Sequence, residues 1–246
     1  MTARIAIIGG TGLTSLASFA LERHEPRATP WGLPSAPVQR GRFGDHPVLF
    51  LPRHGQRHTL APQQVNYRAN LWALRAAGAQ VVLAVAAVGG IHPALGPGRV
   101  AVPDQLIDYT SGRAHSYARA GDFTHVDFTE PYDPHWRGRL LAAATAADVA
   151  VLAQGTYGVT NGPRLETAAE VRRLQRDGCD MIGMTAMPEA ALARELGLPY
   201  AAVAASVNWA AGMGPAGQDI HAEIAASLDT ALAAVRRILL AALAAA

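Results

Sequence analysis

The run Val81-Val82-Leu83-Ala84-Val85 contains only apolar residues, and the pair Gly89-Gly90 follows a few residues later. An unbroken apolar run of this length is typical of a strand that is buried on both faces of a sheet. Similar runs rich in Val, Ile and Ala recur on both sides of it, at residues 4–8, 48–51, 100–107, 149–153, 181–184 and 201–207. These segments predict a sheet whose central strands are covered on both faces.

Helix signals alternate with these apolar runs. Thr167 is followed three residues later by Glu170, a capping box that predicts a helix start, and Gly178 predicts the end of that helix. Further helices are predicted at residues 62–77, between Pro188 and Gly197, and in the Ala- and Leu-rich C-terminal stretch. Residues 111–136 are polar, carry few regular signals and are predicted to form a loop or insertion that contacts something.

Strands that alternate with helices predict the α/β class, with a central mixed β-sheet flanked by helices in a sandwich. The chain has 246 residues, half of them apolar, and nothing in it resembles a linker. Residues 1–246 are therefore predicted to form a single domain.

Composition limits the classes of partner. The formal net charge is only +2, and Lys and Arg are scattered along the chain, so we expect no nucleic-acid partner. The C-terminal stretch is interrupted by charges, so we expect a core-facing helix and no membrane association. The single cysteine, Cys179, and the absence of a signal-peptide pattern predict a cytoplasmic protein. The spacing of His and acidic residues predicts no metal site.

Three short turns follow predicted strands, where ligands bind in α/β sheets. Gly9-Gly10-Thr11-Gly12 can hold an oxyanion through its amides and the Thr11 hydroxyl, although a simple tight turn explains it equally well. In Arg53-His54-Gly55 the guanidinium can fork onto phosphate oxygens and the imidazole can add a donor, but surface Arg-His pairs are often inert. Met184-Thr185 offers a hydroxyl for an anion, or merely a core residue and a helix cap.

A carboxylate and an amide are candidates for reading a polar ring. Glu166 lies in the stretch Asn161-Gly162-Pro163-Arg164-Leu165-Glu166-Thr167, and Asn208 follows the run at residues 201–207. Glu166 can accept a hydrogen bond from a ring N–H, whereas Asn208 can both donate and accept, which suits the N1–H, O6 and N7 positions of a 6-oxopurine. Alternatively, Glu166 only favours a helix start and Asn208 only ends a strand.

Taken together and in this order, the motifs resemble those of the trimeric nucleoside phosphorylases of the purine nucleoside phosphorylase and methylthioadenosine phosphorylase family. The resemblance covers nearly the whole chain, and it implies the nucleoside-phosphorylase-like α/β sandwich. The segments that carry it are Ile7-Ile8-Gly9-Gly10-Thr11-Gly12-Leu13, Arg53-His54-Gly55-Gln56-Arg57-His58-Thr59, Val65-Asn66-Tyr67-Arg68-Ala69-Asn70-Leu71-Trp72-Ala73-Leu74 and Met184-Thr185-Ala186-Met187-Pro188-Glu189.

The resemblance implies which residues hold each part of the substrates. Met184 would lie against the ribose and Leu165 against the base, while Asn208 and Glu166 would bind the base as it departs. Ala86 stands where methylthioadenosine phosphorylases tend to carry a Thr, so one phosphate contact is expected to be missing. The residues that would bind phosphate are Thr11, Arg53, His54, Ala87 and Thr185.

The sequence leaves two alternatives for the group at the 5′ position of the sugar. Ile220, Ile224 and Met213 can line an apolar site for a 5′-methylthio group, and His125 matches a histidine that the family lends to a neighbouring subunit of a homotrimer. His221 instead matches a histidine that purine nucleoside phosphorylases keep for a 5′-hydroxyl. We therefore expect phosphorolysis of a 6-oxopurine nucleoside with a 5′-methylthio group, with inosine or guanosine as the alternative. Inorganic phosphate is the expected co-substrate, and no cofactor is expected.

Overall fold

A mixed β-sheet forms the centre of the computed structural model, which describes residues 4–13, 19–25, 28–217 and 219–245. Within those residues, eleven strands are hydrogen-bonded into one sheet. In chain order they are β1 (Ile5–Gly9), β2 (Phe19–Glu25), β3 (Val38–Phe43), β4 (His46–Pro52), β5 (Val81–Gly90), β6 (Val100–Ala101), β7 (Gln105–Asp108), β8 (Val151–Leu152), β9 (Thr156–Val159), β10 (Met181–Gly183) and β11 (Tyr200–Trp209).

Strand β5 is the centre of this sheet. One edge of β5 pairs with β1 in parallel over its first residues and with β10 in antiparallel at Gly89 and Gly90. The other edge pairs with β11 in parallel along its whole length. The remaining strands extend the sheet through β4, β3 and β2 on one side and through β9 and β7 on the other. The ends of β1, β4, β5 and β11 therefore meet at one edge of the sheet.

Helices cover both faces of the sheet. Residues Ala6 and Ile8 of β1 pack into the cluster that contains the buried side chains of α1 (Tyr67–Ala76) and α4 (Ala186–Glu195). Ile5 and Ile7 pack into the cluster that contains those of α2 (Pro134–Ala146) and α5 (Ile220–Ala244). This alternation follows from the two-residue period of a strand and explains why the central strands are apolar throughout. The helices are α1 (Tyr67–Ala76), α2 (Pro134–Ala146), α3 (Ala168–Arg176), α4 (Ala186–Glu195) and α5 (Ile220–Ala244).

The structure confirms the predicted α/β class with a mixed sheet flanked by helices, and it changes two of the predicted segments. The predicted strand at residues 100–107 is two strands, β6 and β7, separated at Pro103, which has no N–H to donate to a ladder. The predicted helix at residues 62–77 is a short 3-10 turn, Pro62–Gln64, followed by α1. Asn66 starts α1 because its side chain accepts a hydrogen bond from the Ala69 amide.

The helix ends follow their local signals. Thr167 and Glu170 form the predicted capping box at the start of α3. The helix ends before Gly178, whose φ of 92° is typical of a glycine that follows a helix. In α4 the backbone at Met187 is non-helical, so the regular part of the helix begins at Pro188, as the sequence predicts. Among the described residues, no helix is both long and apolar enough to cross a membrane.

Candidate active site

A cavity of about 460 Å³ lies where the ends of β1, β4, β5 and β11 meet. The turn after β10 reaches the same place because β10 runs antiparallel to β5. The structure thus brings together side chains from segments that are far apart in the chain. The predicted site residues that line the cavity are Thr11, Arg53, His54, Ala86, Ala87, Leu165, Glu166, Met184, Thr185, Asn208, Ile220 and Ile224.

Arg53 is held at the floor of the cavity by a buried carboxylate. Its Nε and Nη2 atoms donate to the two carboxylate oxygens of Glu189 at 2.7 and 2.8 Å, and Nη1 donates to the Val85 carbonyl at 2.8 Å. Arg53 is 1% exposed and Glu189 is 0% exposed. The Tyr200 hydroxyl donates to the same carboxylate at 2.9 Å, which satisfies its remaining acceptor capacity in part.

The ion pair changes how Arg53 can bind phosphate. Burial by itself would lower the pKa of Arg53, but the charge and hydrogen bonds of Glu189 raise it above its usual value, so the guanidinium stays charged. Three of its five N–H groups are used by Glu189 and Val85, which leaves one N–H on each terminal nitrogen. The Nε and Nη2 fork is therefore occupied by Glu189, and an anion would meet the other N–H groups.

The ring of His54 is oriented by a backbone carbonyl. Its Nδ1 lies 2.8 Å from the Leu60 carbonyl, which can only accept, so Nδ1 carries the proton. Burial and the adjacent Arg53 cation lower the pKa of His54 to about 4, despite the hydrogen bond to Leu60. At neutral pH the ring is uncharged, and Nε2 is an acceptor. In this tautomer Nδ1–H is used by the Leu60 carbonyl, and Nε2 can accept a hydrogen bond from a protonated phosphate oxygen or a hydroxyl group.

The remaining anion-binding groups come from two turns. Gly10 follows β1, and a Cβ atom there would lie 2.8 Å from the Val85 carbonyl oxygen and 3.0 Å from Nη1 of Arg53. A residue without a side chain is needed for this close approach. Thr185 is buried at the start of α4, and its hydroxyl makes no capping hydrogen bond to the helix. Its side chain lines the cavity beside the Tyr157 hydroxyl.

Asn208 reaches the cavity through an irregularity in β11. Ser206 pairs with Val88 and Asn208 pairs with Gly89, so Val207 is an extra residue in the ladder. Such a bulge changes the direction in which the next side chain points. The bulge is fixed by the hydroxyl of Ser206, which donates to the Leu95 carbonyl at 2.8 Å, and by that of Ser227, which donates to the Val207 carbonyl at 2.5 Å.

The amide of Asn208 keeps hydrogen-bonding capacity for a ligand. Its Nδ2 donates to the Trp209 carbonyl at 2.6 Å, and the Trp209 amide in turn donates to Glu223 of α5 at 3.0 Å. A side-chain amide has two donors and a carbonyl acceptor, so one N–H and the oxygen of Asn208 have no protein partner among these contacts. This is the donor and acceptor pair that a 6-oxopurine requires.

Glu166 lines the same cavity as Asn208. The Thr160 hydroxyl donates to its Oε1 at 2.5 Å and thereby fixes the orientation of the carboxylate. The second oxygen, Oε2, keeps its acceptor capacity. Glu166 is therefore more than a charge at the start of α3, although its position before Thr167 also places it near that helix terminus.

Only some of the residues predicted to bind the sugar line the cavity. Ile220 and Ile224, on the first turns of α5, line the cavity. His221 is exposed and does not line it, because successive helical residues point about 100° apart. Met213 packs instead against the small cluster around Val171 and Leu174.

His125 also lies outside the cavity of its own chain. It is exposed, and its ring centroid lies 5.4 Å from that of Phe123. Among the described residues, His, Cys, Asp and Glu side chains form no group of three that could hold a metal ion. The cavity therefore combines a buried guanidinium, two polar side chains with spare hydrogen-bonding capacity and an apolar end.

The sequence pattern that describes the phosphorylase superfamily matches residues 4–244. The chain belongs to the phosphorylase superfamily. It is 56% identical over 209 residues to the "Probable S-methyl-5'-thioinosine phosphorylase" of Pseudomonas syringae pv. tomato, which covers 84% of this chain and 85% of the relative. It is 43% identical over 217 residues to the 6-oxopurine nucleoside phosphorylase of Pyrococcus furiosus, which covers 85% of this chain and 81% of the relative.

A solved structure agrees with this assignment to the phosphorylase superfamily. The methylthioadenosine phosphorylase from Schistosoma mansoni in complex with adenine has a TM-score of 0.91 and 31% sequence identity to this chain, with 99% of this chain and 91% of that chain covered. The family resemblance and the fold that it implies are thus confirmed. The roles of individual residues stay predictions.

Three contributors to the site of this phosphorylase superfamily member were not assigned from its sequence. Glu189 is part of the Met184–Glu189 motif, but nothing in the spacing shows that it pairs with Arg53, 136 positions away. Thr160 donates a hydrogen bond to the carboxylate of Glu166. Glu223 accepts a hydrogen bond from the backbone amide of Trp209, the residue next to Asn208. The one available signal was Glu189 itself, a carboxylate among apolar helix residues, since a fully buried Glu needs a partner.

Proposed function

We propose that the protein catalyses phosphorolysis of S-methyl-5'-thioinosine to hypoxanthine and 5-methylthioribose 1-phosphate. The observation that carries the proposal is the placement of Asn208 and Glu166 in one cavity with the Arg53 and Thr185 anion-binding groups. The name of the Pseudomonas syringae relative supports the same substrate. Inorganic phosphate serves as co-substrate, and the proposed chemistry needs no cofactor.

The base assignment follows from hydrogen-bonding capacity. Oε2 of Glu166 accepts from N1–H of hypoxanthine, and Asn208 donates to O6 and accepts from a protonated N7. A 6-aminopurine has no proton on N1 and carries donors at the exocyclic nitrogen, so it leaves polar groups of the site unpaired. Each such mismatch costs on the order of 1–3 kcal/mol. The pair therefore favours 6-oxopurines.

The sugar assignment follows from the apolar end of the cavity. Ile220 and Ile224 face it, whereas His221 does not. A 5′-methylthio group gains free energy from burial against such side chains, but a 5′-hydroxyl finds no side-chain partner in that pair. This arrangement favours S-methyl-5'-thioinosine over inosine.

Catalysis in this proposal depends on electrostatics and position. Phosphate on the Arg53 and Thr185 side approaches C1′ from the face opposite the base while the glycosidic bond lengthens. The anion stabilises positive charge on the ribose, and Asn208 and Glu166 stabilise the purine as it leaves with the bonding electrons. C1′ forms its new bond to a phosphate oxygen, so no covalent enzyme intermediate is required.

A comparison of nucleosides tests the proposal. We expect kcat/KM for S-methyl-5'-thioinosine to exceed that for inosine and that for S-methyl-5'-thioadenosine, and we expect base release only when phosphate is present. Hypoxanthine or adenine release is followed spectrophotometrically in phosphate and in a phosphate-free buffer. Release of base without phosphate would reject a phosphorylase, and a preference for the adenosine compound would reject the base assignment.

The alternative substrate is a plain 6-oxopurine nucleoside, inosine or guanosine. The name of the Pyrococcus furiosus relative favours it, and the Asn208 and Glu166 pair suits either substrate equally. Inosine differs from S-methyl-5'-thioinosine only at the 5′ position, and guanosine differs also by its 2-amino group. A higher kcat/KM for inosine than for S-methyl-5'-thioinosine would select this alternative.

We also propose that the protein is a cytoplasmic homotrimer in which His125 reaches the cavity of the neighbouring subunit. The side chain of Phe123, which contacts His125, is 64% exposed, and such an aromatic group is more stable when a partner covers it. We expect a trimeric mass by analytical ultracentrifugation, and a raised KM for the nucleoside in the His125→Ala variant. A fully active monomer would contradict the assembly, and recovery outside the cytoplasmic fraction of cells would contradict the location.

A further inference from the structure

Arg113 connects two walls of the cavity without lining it. Its Nη1 donates to the carbonyls of Met184 at 2.8 Å and Met187 at 2.6 Å. Its Nη2 donates to the carbonyl of Asn161 at 2.9 Å and lies 3.3 Å from that of Thr160. The side chain comes from the irregular segment between β7 and α2 and reaches back into the protein.

The environment of Arg113 is unlike that of a surface arginine. Its side chain is half-buried, its Nε is buried, and the guanidinium carbon lies 5.5 Å from the ring centroid of Tyr67. Within the part of the chain that the structure describes, Arg113 makes no ion pair with a carboxylate. Its acceptors are backbone carbonyls, and hydrogen bonds from a charged donor to such groups are stronger than those from a neutral donor.

The two sets of carbonyls belong to parts of the site with different tasks. Thr160 holds the carboxylate of Glu166, which faces the base. Met184 precedes Thr185, and both residues line the cavity together with Arg53. The two parts also touch directly, because a Cβ on Gly162 would lie 2.3 Å from Sδ of Met184.

We propose that Arg113 is a positioning residue that fixes the base-binding Glu166 relative to the sugar- and phosphate-binding turn at Met184 and Thr185. This inference rests on the proposed function for the identity of the two substrates. Phosphorolysis requires the phosphate and the base on opposite sides of C1′ at the same time. A misplacement of about 1 Å between such groups costs on the order of 100-fold in rate.

The shape of the guanidinium explains why an arginine is used. Its planar fork presents donors in fixed directions and can bridge two carbonyl pairs at once. A lysine ammonium is a compact charge and cannot span both pairs. Arg113→Lys therefore keeps the positive charge but cannot donate to both pairs of carbonyls. This variant tests whether the placement of the donors is needed in addition to the charge.

The experiment compares Arg113→Ala and Arg113→Lys with the wild-type enzyme and with Arg119→Ala. Arg119 lies in the same segment, is exposed and stacks on Trp31, with its guanidinium carbon 5.1 Å from the ring centroid. We expect kcat to fall about 100-fold in Arg113→Ala and about 10-fold in Arg113→Lys. The affinity for hypoxanthine, measured by calorimetry, should change by less than about 3-fold, since the free base does not have to be aligned with phosphate across C1′. Arg119→Ala should match the wild type.

Chemical rescue distinguishes positioning from a general structural role. Guanidinium chloride at millimolar concentration should restore part of the kcat of Arg113→Ala and should not affect Arg113→Lys. If Arg113→Ala does not fold, Arg113→Lys alone decides the matter, and a kcat within about 3-fold of the wild type in either folded variant overturns the inference. The wild-type substrate comparison tests the proposed function separately, because the variant ratios are measured on whichever nucleoside the wild type cleaves.

Discussion

Replacing Glu189 with alanine is expected to lower the free energy of unfolding by about 3–5 kcal/mol, because removal of one partner leaves a buried charge without compensation. Arg53 keeps its charge in this variant but loses the carboxylate that receives both of its fork N–H groups. We also expect loss of measurable phosphorolysis, since the guanidinium is no longer held toward the anion-binding floor. Urea unfolding followed by circular dichroism measures the stability change.

Two matched variants test the reason for this loss. Glu170→Ala removes an exposed carboxylate that pairs with Arg164 and closes the capping box at Thr167, and it should cost about 1–2 kcal/mol, less than the loss of the buried partner. The double variant Arg53→Met, Glu189→Leu removes both buried charges, and it should recover most of the stability while remaining inactive. If Glu189→Ala unfolds at the same urea concentration as the wild type, the buried ion pair does not have the importance assigned to it.

Replacing Asn208 with aspartate is expected to shift base selectivity by about 10- to 100-fold toward 6-aminopurines. The measured quantity is the ratio of kcat/KM for S-methyl-5'-thioinosine to that for S-methyl-5'-thioadenosine. A carboxylate cannot donate to O6 of hypoxanthine and is opposed by its lone pairs, whereas it can accept from the amino group of adenine. The substitution changes almost no volume, but it removes the hydrogen bond from Nδ2 to the Trp209 carbonyl, so the urea midpoint of the variant is measured beside the ratio.

Asn161→Asp is the matched control for this experiment. Asn161 lies in the base-binding segment, but its side chain bonds to Ser111 and does not line the cavity. The same chemical change there should leave the ratio within about 3-fold of the wild type. An unchanged ratio in Asn208→Asp would refute the base-reading role of Asn208, and an equal shift in both variants would point to a general effect of charge.

The sequence predicted the buried strands better than the edge strands. The central strands are covered on both faces, so their residues are apolar and their positions are visible as runs. Strand β2, Phe19–Glu25, is mostly exposed and carries Glu, Arg and His, so no apolar run marks it. Strand β9 contains Gly158, where a Cβ would lie 2.9 Å from Sγ of Cys179, and a glycine within a strand weakens the pattern that identifies it.

For the site, the sequence indicated the residues that face the cavity but not those that hold them. Turns after strands converge by the topology of an α/β sheet, so Thr11, Arg53 and Thr185 could be grouped before their positions were known. The partners of Arg53 and His54 depend on side-chain packing across the chain, which leaves no local pattern. For example, the Leu60 carbonyl sets the orientation of the His54 ring, and no sequence motif indicates this contact.

The extra residue in β11 bears on how selectivity in this enzyme can be changed. The backbone at Val207 is held by hydrogen bonds from Ser206 and Ser227, neither of which lines the cavity. The side chain of Asn208 itself donates to the Trp209 carbonyl of the same strand. If Asn208 reads the base as proposed, a redesign of purine preference can leave Ser206 and Ser227 unchanged, but the side chain chosen at position 208 must also accommodate the Trp209 carbonyl.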